Sequence, residues 1–296
     1  MSLPRVECIA IVGVGLIGGS FGMALKKRCL ADRIIGVGRS PEKLQRAVEL
    51  NAIDRWTTDI ETVASEADLI YISTPVGMVV DFVSRVVPLA KPGCIITDAG
   101  STKVRICREV AKVAPQGISF IGGHPMAGSE ATGVEAGNPD LFVNAAYVLT
   151  PYGDVEEEAV EFLSALLKAI GSRVIIMSPE AHDRCVAIIS HLPHIMASAL
   201  VHITKNQENV LPQIVELIAG SFRDMTRVAG SSPELWRDIC VSNACEISQA
   251  VESLCVEMQK AVHSIVNGDY TSIEGWFKEA RDYRQYLMPY INKERE

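Results

Sequence analysis

No two of the eight cysteines, at positions 8, 29, 94, 107, 185, 240, 245 and 255, form a Cys-x-x-Cys pair. That removes a common signature of a structural zinc site. Positive charge is also short: 28 Lys and Arg against 36 Asp and Glu leave a formal net charge of -8. Such a balance argues against a general basic surface for nucleic acid, so a small anionic ligand would need its own cluster of arginines. No apolar run reaches the ~18 residues of a membrane span, no signal-like segment opens the chain, and no repeat or low-complexity stretch interrupts it. A reducing cytoplasm is the expected setting. Cysteines within apolar runs then act as small hydrophobes.

What is present is enough apolar residue, 48% of 296, for one large domain or two ordinary ones. Cys8-Ile9-Ala10-Ile11-Val12 reads as a buried parallel strand. Gly13-Val14-Gly15-Leu16-Ile17-Gly18 follows, and a helical pattern runs on through Phe21, Ala24 and Leu25. Strand, G-x-G-x-x-G and helix in that order predict a dinucleotide site. Gly13 permits the turn, Gly15 admits the pyrophosphate, Gly18 lets helix and strand pack, and the N–H groups at Leu16 and Ile17 open the helix to phosphate.

The second strand, Arg33–Val37, lacks the acid that an NAD site usually carries about 20 residues past the glycines. Gly38 is there, followed by Arg39 and Ser40. A guanidinium can pair with a 2′-phosphate and a serine can hydrogen-bond it, so NADP is the expected cofactor, with NAD the alternative. A solvated loop arginine, or one stacked on adenine, fits the same residues.

Strands then alternate with helices, as in βαβ units. Leu69–Ser73 ends at Thr74-Pro75, and Cys94–Asp98 leads into Ala99-Gly100-Ser101-Thr102-Lys103. Ile118–Gly122 leads into Gly122-Gly123-His124-Pro125-Met126-Ala127-Gly128-Ser129-Glu130, read as a turn that Pro125 stiffens. Strand ends of an open α/β sheet form its ligand crevice, so Ser73, Pro75, Ser101 and His124 should face the glycine loop. His124 can take a proton near neutral pH. Ser101 orients it, touches the nicotinamide, or caps the following helix. Ala145–Leu149 and Arg173–Met177 are further strands, with an amphipathic helix from Glu156 to Ile170 between them.

From Ser178 the pattern turns helical almost throughout. The chain therefore divides into a dinucleotide-binding domain, 1–177, and a helical substrate and dimerisation domain, 178–296. Pro193 in Ser190-His191-Leu192-Pro193-His194 should kink its helix. His191 and His194 share a helical face, and no further ligands accompany them for a metal. Arg223 and Arg227, one turn apart, suit a carboxylate-bearing substrate or a surface salt-bridge cluster. A helix from about Ile239 to Val266 has two apolar stripes. One runs through Val241, Ala244, Ser248, Val251, Cys255, Met258, Val262 and Ile265, the other through Ile247, Ala250, Leu254 and Ala261. Two such faces suggest a helical homodimer. The segment from Lys278 on reads as charged and peripheral.

The glycine motif, Asp98–Lys103, the His124 stretch, Ser190–His194 and Phe222–Arg227 together resemble the prephenate and arogenate dehydrogenase family of tyrosine biosynthesis. They span most of the chain. Gly38, Ser221 and Met225 depart from the family's pattern. The resemblance implies a Rossmann-type α/β domain followed by an all-α domain, and oxidative decarboxylation of prephenate or arogenate. It implies His124 as the base, Ser101 as its partner, and Arg227 and Arg223 on the substrate carboxylate. It also implies His191 holding substrate, Glu130 and Ser129 shaping the pocket, and His194 at a position linked to tyrosine, hence product feedback. Another two-domain dehydrogenase acting on β-hydroxyacids or imino acids, or a non-catalytic dinucleotide sensor, would share the glycine motif.

Overall fold

The computed structural model describes residues 4–113, 117–128 and 131–291. The N-terminal part runs β1 (Val6–Val12), α1 (Leu16–Lys27), β2 (Ala31–Val37), α2 (Pro41–Glu49), β3 (Arg55–Thr57), α3 (Glu61–Ala64) and β4 (Leu69–Ile72). It continues with α4 (Val79–Val86), β5 (Ile95–Asp98), α5 (Val104–Val110), β6 (Ser119–Pro125), β7 (Ala146–Pro151), α6 (Glu157–Ala169) and β8 (Arg173–Ile176). The strands form one sheet in the order β3-β2-β1-β4-β5-β6-β7-β8.

Each buried strand feeds two cores, because successive side chains point to opposite faces. From β1, Ile9 and Ile11 pack with Phe21, Leu25, Tyr71 and Leu163 on one face. Cys8, Ala10 and Val12 pack with Ile70, Val83 and Ile96 on the other. Each buried Val, Ile, Leu or Phe among them contributes roughly 1.5–3 kcal/mol of transfer free energy. Both faces are covered, which is why the strands read as continuous apolar runs rather than alternating ones.

The sheet departs from the sequence reading in two places. β3 is only three residues and carried no apolar run by which to find it. The stretch around His124 is not a turn: β6 continues through Gly122, Gly123, His124 and Pro125, which pair antiparallel with Thr150, Leu149, Val148 and Tyr147 of β7. Among the described residues between β6 and β7 there is no long helix, only a 3-10 turn at Val134–Ala136. A crossover to a parallel strand is therefore not made, and β7 returns alongside, giving those residues hydrogen-bonding partners.

Beyond β8 the chain is helical: α7 (Pro179–Val186), a π turn at Ala187–His191, α8 (Leu192–Glu208), α9 (Gly220–Thr226), α10 (Pro233–Ser242), α11 (Ala244–Val266) and α12 (Tyr270–Ile291). Ser178 caps α7, its side chain accepting from the Ala181 N–H, with Pro179 in the first turn. The expected kink is the π turn. It hands over to α8 with Pro193 in the first turn, where its missing N–H leaves no gap. The helix expected from Ile239 to Val266 breaks at Asn243, and the peripheral tail is in fact most of α12. Contrary to the expectation of no membrane-length segment, Pro179–Glu208 is long and apolar enough to cross a bilayer by length and composition. Its buried Asp183 and His182, however, are bonded into the sheet half.

Candidate active site

The carboxyl ends of β1, β4, β5 and β6 lie side by side, which brings the glycine loop, Ser73, Ser101 and His124 to one edge of the sheet. Gly13 has φ +89°, and a Cβ there would stand 2.6 Å from the Ser73 carbonyl oxygen. A Cβ on Gly18 would meet the Gly13 carbonyl oxygen at 2.2 Å, whereas one on Gly15 would meet nothing within 4 Å. Gly13 and Gly18 are thus required by the protein's own packing. Gly15 faces open space, as a residue approached by a ligand should. The N-terminus of α1 carries no side-chain cap, leaving its first N–H groups, at Leu16 and Ile17, open to phosphate. The Ser73 hydroxyl donates to the Gly13 carbonyl at 3.0 Å and so holds the loop. Next to it, Thr74 Oγ1 is buried without a partner, and Pro75 is exposed. This cradle fits a dinucleotide.

At the end of β2, Arg39 is exposed and Gly38 sits beside Leu44, 3.2 Å from where a Cβ would stand. Ser40 is already engaged. It caps α2 by accepting from the Lys43 N–H at 3.3 Å and donates its own proton to Glu42 at 2.8 Å. Of the two residues expected to meet a 2′-phosphate, only Arg39 has its donors free.

His124 is enclosed by charged and titratable groups from several elements. Lys103, fully buried, donates to Asp98 and, at 2.7 Å, to the carbonyl oxygen of Gly123, the residue before His124. Asp98 accepts the Gly123 N–H at 3.1 Å and the Gly100 N–H at 2.8 Å. Removing either member of such a buried pair costs about 3–5 kcal/mol, so this pair fixes the end of β6. His124 Nδ1 lies 2.8 Å from His182 Nε2 of α7, and His182 Nδ1 lies 2.7 Å from Asp183 Oδ1. Burial first, then the neighbouring His182, Lys103 and His191, push the His124 imidazole well below its ordinary value of 6.5. It is therefore an unprotonated base at neutral pH.

Ser101 plays neither of two expected parts. Its side chain makes no hydrogen bond to His124, whose partner is His182, and it does not cap α5. The cap is Asp183, which accepts the Lys103 N–H at 2.7 Å and the Val104 N–H at 2.9 Å from across the domain seam. Ser101 is half-buried at the sheet edge.

His191 and His194 do share a face, and both meet Trp236. His194 stacks on the indole at 3.9 Å and His191 meets it edge-on at 5.9 Å. The indole N–H is buried without a partner, a donor that a ligand can use. Asn243, where the helix breaks, donates through Nδ2 to the Asp183 carbonyl at 2.9 Å and reaches His191 Nδ1 at 3.3 Å. Burial lowers His191 to about 4. Arg223 lies on α9 and Arg227 opens the 3-10 turn that packs along α8; both are exposed. Ser129 and Glu130 lie outside the described residues. His182, Asp183, Lys103, Asn243 and Trp236 escaped the sequence reading of roles. Only the run His182-Asp183 near a capped helix start could have drawn attention.

A glycine loop at the head of a parallel sheet, an uncapped helix behind it, and a neutral histidine at the same edge define a nicotinamide dinucleotide-dependent dehydrogenase. Comparison with known proteins narrows the class. The prephenate dehydrogenase nucleotide-binding domain matches residues 21–176, and the prephenate dehydrogenase dimerization domain matches residues 178–279. The chain belongs to the prephenate dehydrogenase family. It is 40% identical to prephenate dehydrogenase of Bacillus subtilis over 285 residues, 95% of this chain and 76% of that one. Among solved structures, prephenate dehydrogenase from A. aeolicus, in complex with hydroxyphenyl propionate and NAD+, gives a TM-score of 0.90 at 30% identity. That match covers 95% of this chain and 98% of the other. Synechocystis arogenate dehydrogenase gives 0.84 at 29% identity, over 95% and 100%.

Proposed function

We propose that this protein catalyses the oxidative decarboxylation of prephenate to 4-hydroxyphenylpyruvate, of arogenate to tyrosine, or of both, in tyrosine biosynthesis. The observation that carries the proposal is His124: a half-buried, neutral imidazole held at the end of β6, beside the dinucleotide cradle, in a chain of this family. The bound dinucleotide supplies the hydride acceptor, held by Gly13, Gly15, Leu16, Ile17 and Gly18 with Ser73 and Pro75 at its side. His124 takes the proton of the ring hydroxyl as the ring is oxidised. Loss of the ring carboxylate as CO2 leaves an aromatic ring, which drives the step. Ser101 contacts substrate or nicotinamide. Arg227, with Arg223 near it, receives a substrate carboxylate. His191, with Ser129 and Glu130, shapes the pocket, and the Trp236–His194 pair takes the side chain. His194 is also where tyrosine would bind as a feedback ligand.

Arg39, with no carboxylate at Gly38 to repel a phosphate, makes NADP the preferred cofactor over NAD. The seam between 177 and 178 divides cofactor binding from the helical half. The exposed apolar stripe of α11 is the face on which a second copy docks, giving a homodimer. Eight free cysteines suit the reducing cytoplasm. A β-hydroxyacid or imino-acid dehydrogenase is not favoured, nor is a non-catalytic sensor, because neither explains His124 together with the family match. The test is turnover with prephenate and with arogenate, each with NAD and NADP. Failure to release CO2 and reduced nicotinamide from either substrate would remove the proposal.

A further inference from the structure

The hydrogen bonds around His124 run in one direction. Asp183 is sealed at 1% exposure, and each of its oxygens already accepts a backbone N–H, from Lys103 at 2.7 Å and from Val104 at 2.9 Å. Asp183 therefore meets His182 as an acceptor, and His182 Nδ1, 2.7 Å away, carries the proton of that bond. A neutral imidazole protonated at Nδ1 has its lone pair on Nε2. That lone pair faces His124 Nδ1 at 2.8 Å. With His182 carrying one proton, on Nδ1, His124 Nδ1 is the donor of that bond and His124 Nε2 is left bare. His182 is as sealed as Asp183, whereas His124 keeps accessible surface. The chain of bonds thus ends at the one side chain of the three that a substrate can reach.

We propose that His182 and Asp183 are positioning residues: together they lock His124 in the Nδ1–H tautomer, so that Nε2 is the atom that takes the substrate's hydroxyl proton. The proposal rests on the reading of His124 as the base. In the step, the substrate O–H bond breaks and an N–H bond forms at His124 Nε2. The imidazolium so formed keeps its Nδ1–H bond to His182, whose other nitrogen is backed by the Asp183 carboxylate. Without that backing, the groups facing His124 would mostly oppose a positive charge. These are Lys103 at the start of α5 and His191 on the π turn, while Asp98 on β5 is engaged by the Lys103 ammonium and two backbone N–H groups. A buried carboxylate that fixes the tautomer of a catalytic histidine through a direct hydrogen bond is a known device. Here a second imidazole stands between the two.

The test combines a spectrum with kinetics on the full-length protein. With histidine labelled in 15N, long-range proton–nitrogen correlation reads which ring nitrogens carry hydrogen. The chain has 6 histidines, and the His124 signals are identified by their loss in His124→Asn. The wild type should show His124 with hydrogen on Nδ1 and a bare Nε2. His182→Leu should release it to the opposite tautomer and lower kcat by about ten- to a hundredfold, inside the ~10²–10⁴ range of general-base catalysis, with KM changed less than about threefold. His182→Gln can accept from His124 and donate to Asp183 through its amide. It should restore the Nδ1–H tautomer and most of the lost rate. Hydrogen on Nε2 in the wild type, retention of the Nδ1–H tautomer in His182→Leu, or a glutamine variant no better than the leucine one would each overturn the proposal. Should the leucine variant not fold, the wild-type and glutamine spectra decide alone. An intact rate in His124→Asn would instead overturn the base assignment and leave the tautomer result standing.

Discussion

The two halves of the chain hold comparable runs of apolar residues but bury them differently. Around the sheet, both faces close into dense cores in which Ile9, Ile11, Phe21, Leu25, Ile34 and Leu149 have no exposed surface. In the helical half the buried cluster is Ala187, Ile239, Ile247 and Ala250. Val262, Ile265 and Met258 on α11 stand more than half exposed, and no described residue of α12 is buried. The sheet half completes its core from its own sequence. The helices complete one stripe of α11 and leave the other facing outward, and exposed apolar area on this scale marks a surface meant for another protein. The site lies where the two halves meet, with His124 from the sheet half bonded to His182 from the helical half.

The sharpest way to break this comparison is to deny the helices their second copy. Val262→Glu should abolish the homodimer. Two-fold symmetry places the new charge in the interface twice, and each buried unpaired charge costs about 3–5 kcal/mol. The dissociation constant should rise by roughly four orders of magnitude or more. Sedimentation reads the state directly. A variant that remains dimeric would move the interface to another face.

Next in size is His124→Asn, which should lower kcat by about 10²–10⁴-fold while dinucleotide affinity stays near that of the parent. The phosphates rest on the glycine loop, several strands away from the lost imidazole. Steady-state kinetics with a parallel cofactor titration separates the two quantities, and near-normal turnover would remove His124 from the chemistry.

These two residues also show how legible the chain was. His124 could be found because glycines, a proline and a histidine crowd together after a clear strand. The stripe through Val262 could be found because a 3.6-residue period survives any tertiary context. The antiparallel course of β7 was not legible, since strand direction depends on the length and structure of a connection, not on strand composition. Nor was the role of Asp183. In sequence it is one more acid in the first turns of a helix; only the fold brings it to the N-terminus of α5, 80 positions away from Lys103. Ser101 shows the reverse case. Its place before a helix invited a capping role that a residue from another domain fills.

The seam should also fail first in acid. His191 has a folded value of about 4 against an ordinary 6.5, and His124 is shifted the same way. Between those values the unfolded chain binds a proton that the folded His191 refuses, so stability is lost as pH falls from about 6.5 towards 4 and is fully present above that window. One group with this shift accounts for roughly 3 kcal/mol by pH 4. Denaturant midpoints measured across the window should fall, and His191→Gln should flatten the slope by about one proton. An unchanged slope in that variant would show that His191 is protonated in the folded protein.

The smallest effect expected concerns the sheet half alone and uses none of the seam. Gly38→Asp should shift the preference between cofactors by about tenfold or somewhat more towards NAD, the value of a charge-assisted contact of roughly 1.5–3 kcal/mol. The new carboxylate would hold the ribose 2′-hydroxyl and repel a 2′-phosphate. Room for it is tight but available, since the Cβ would stand 3.2 Å from Leu44 Cδ2, the end of a side chain that can turn. Ser40 should contribute little to the wild-type preference, because its proton is already given to Glu42 and its oxygen to the start of α2. On the proposed NADP preference Arg39 would carry the discrimination, and Arg39→Ala should raise KM for NADP while leaving KM for NAD nearly unchanged. The ratio of kcat/KM for the two cofactors, measured for the wild type and both variants, checks each step. Equal losses for NAD and NADP in Arg39→Ala would mean that the guanidinium stacks on the adenine common to both, and that the choice of cofactor is made elsewhere.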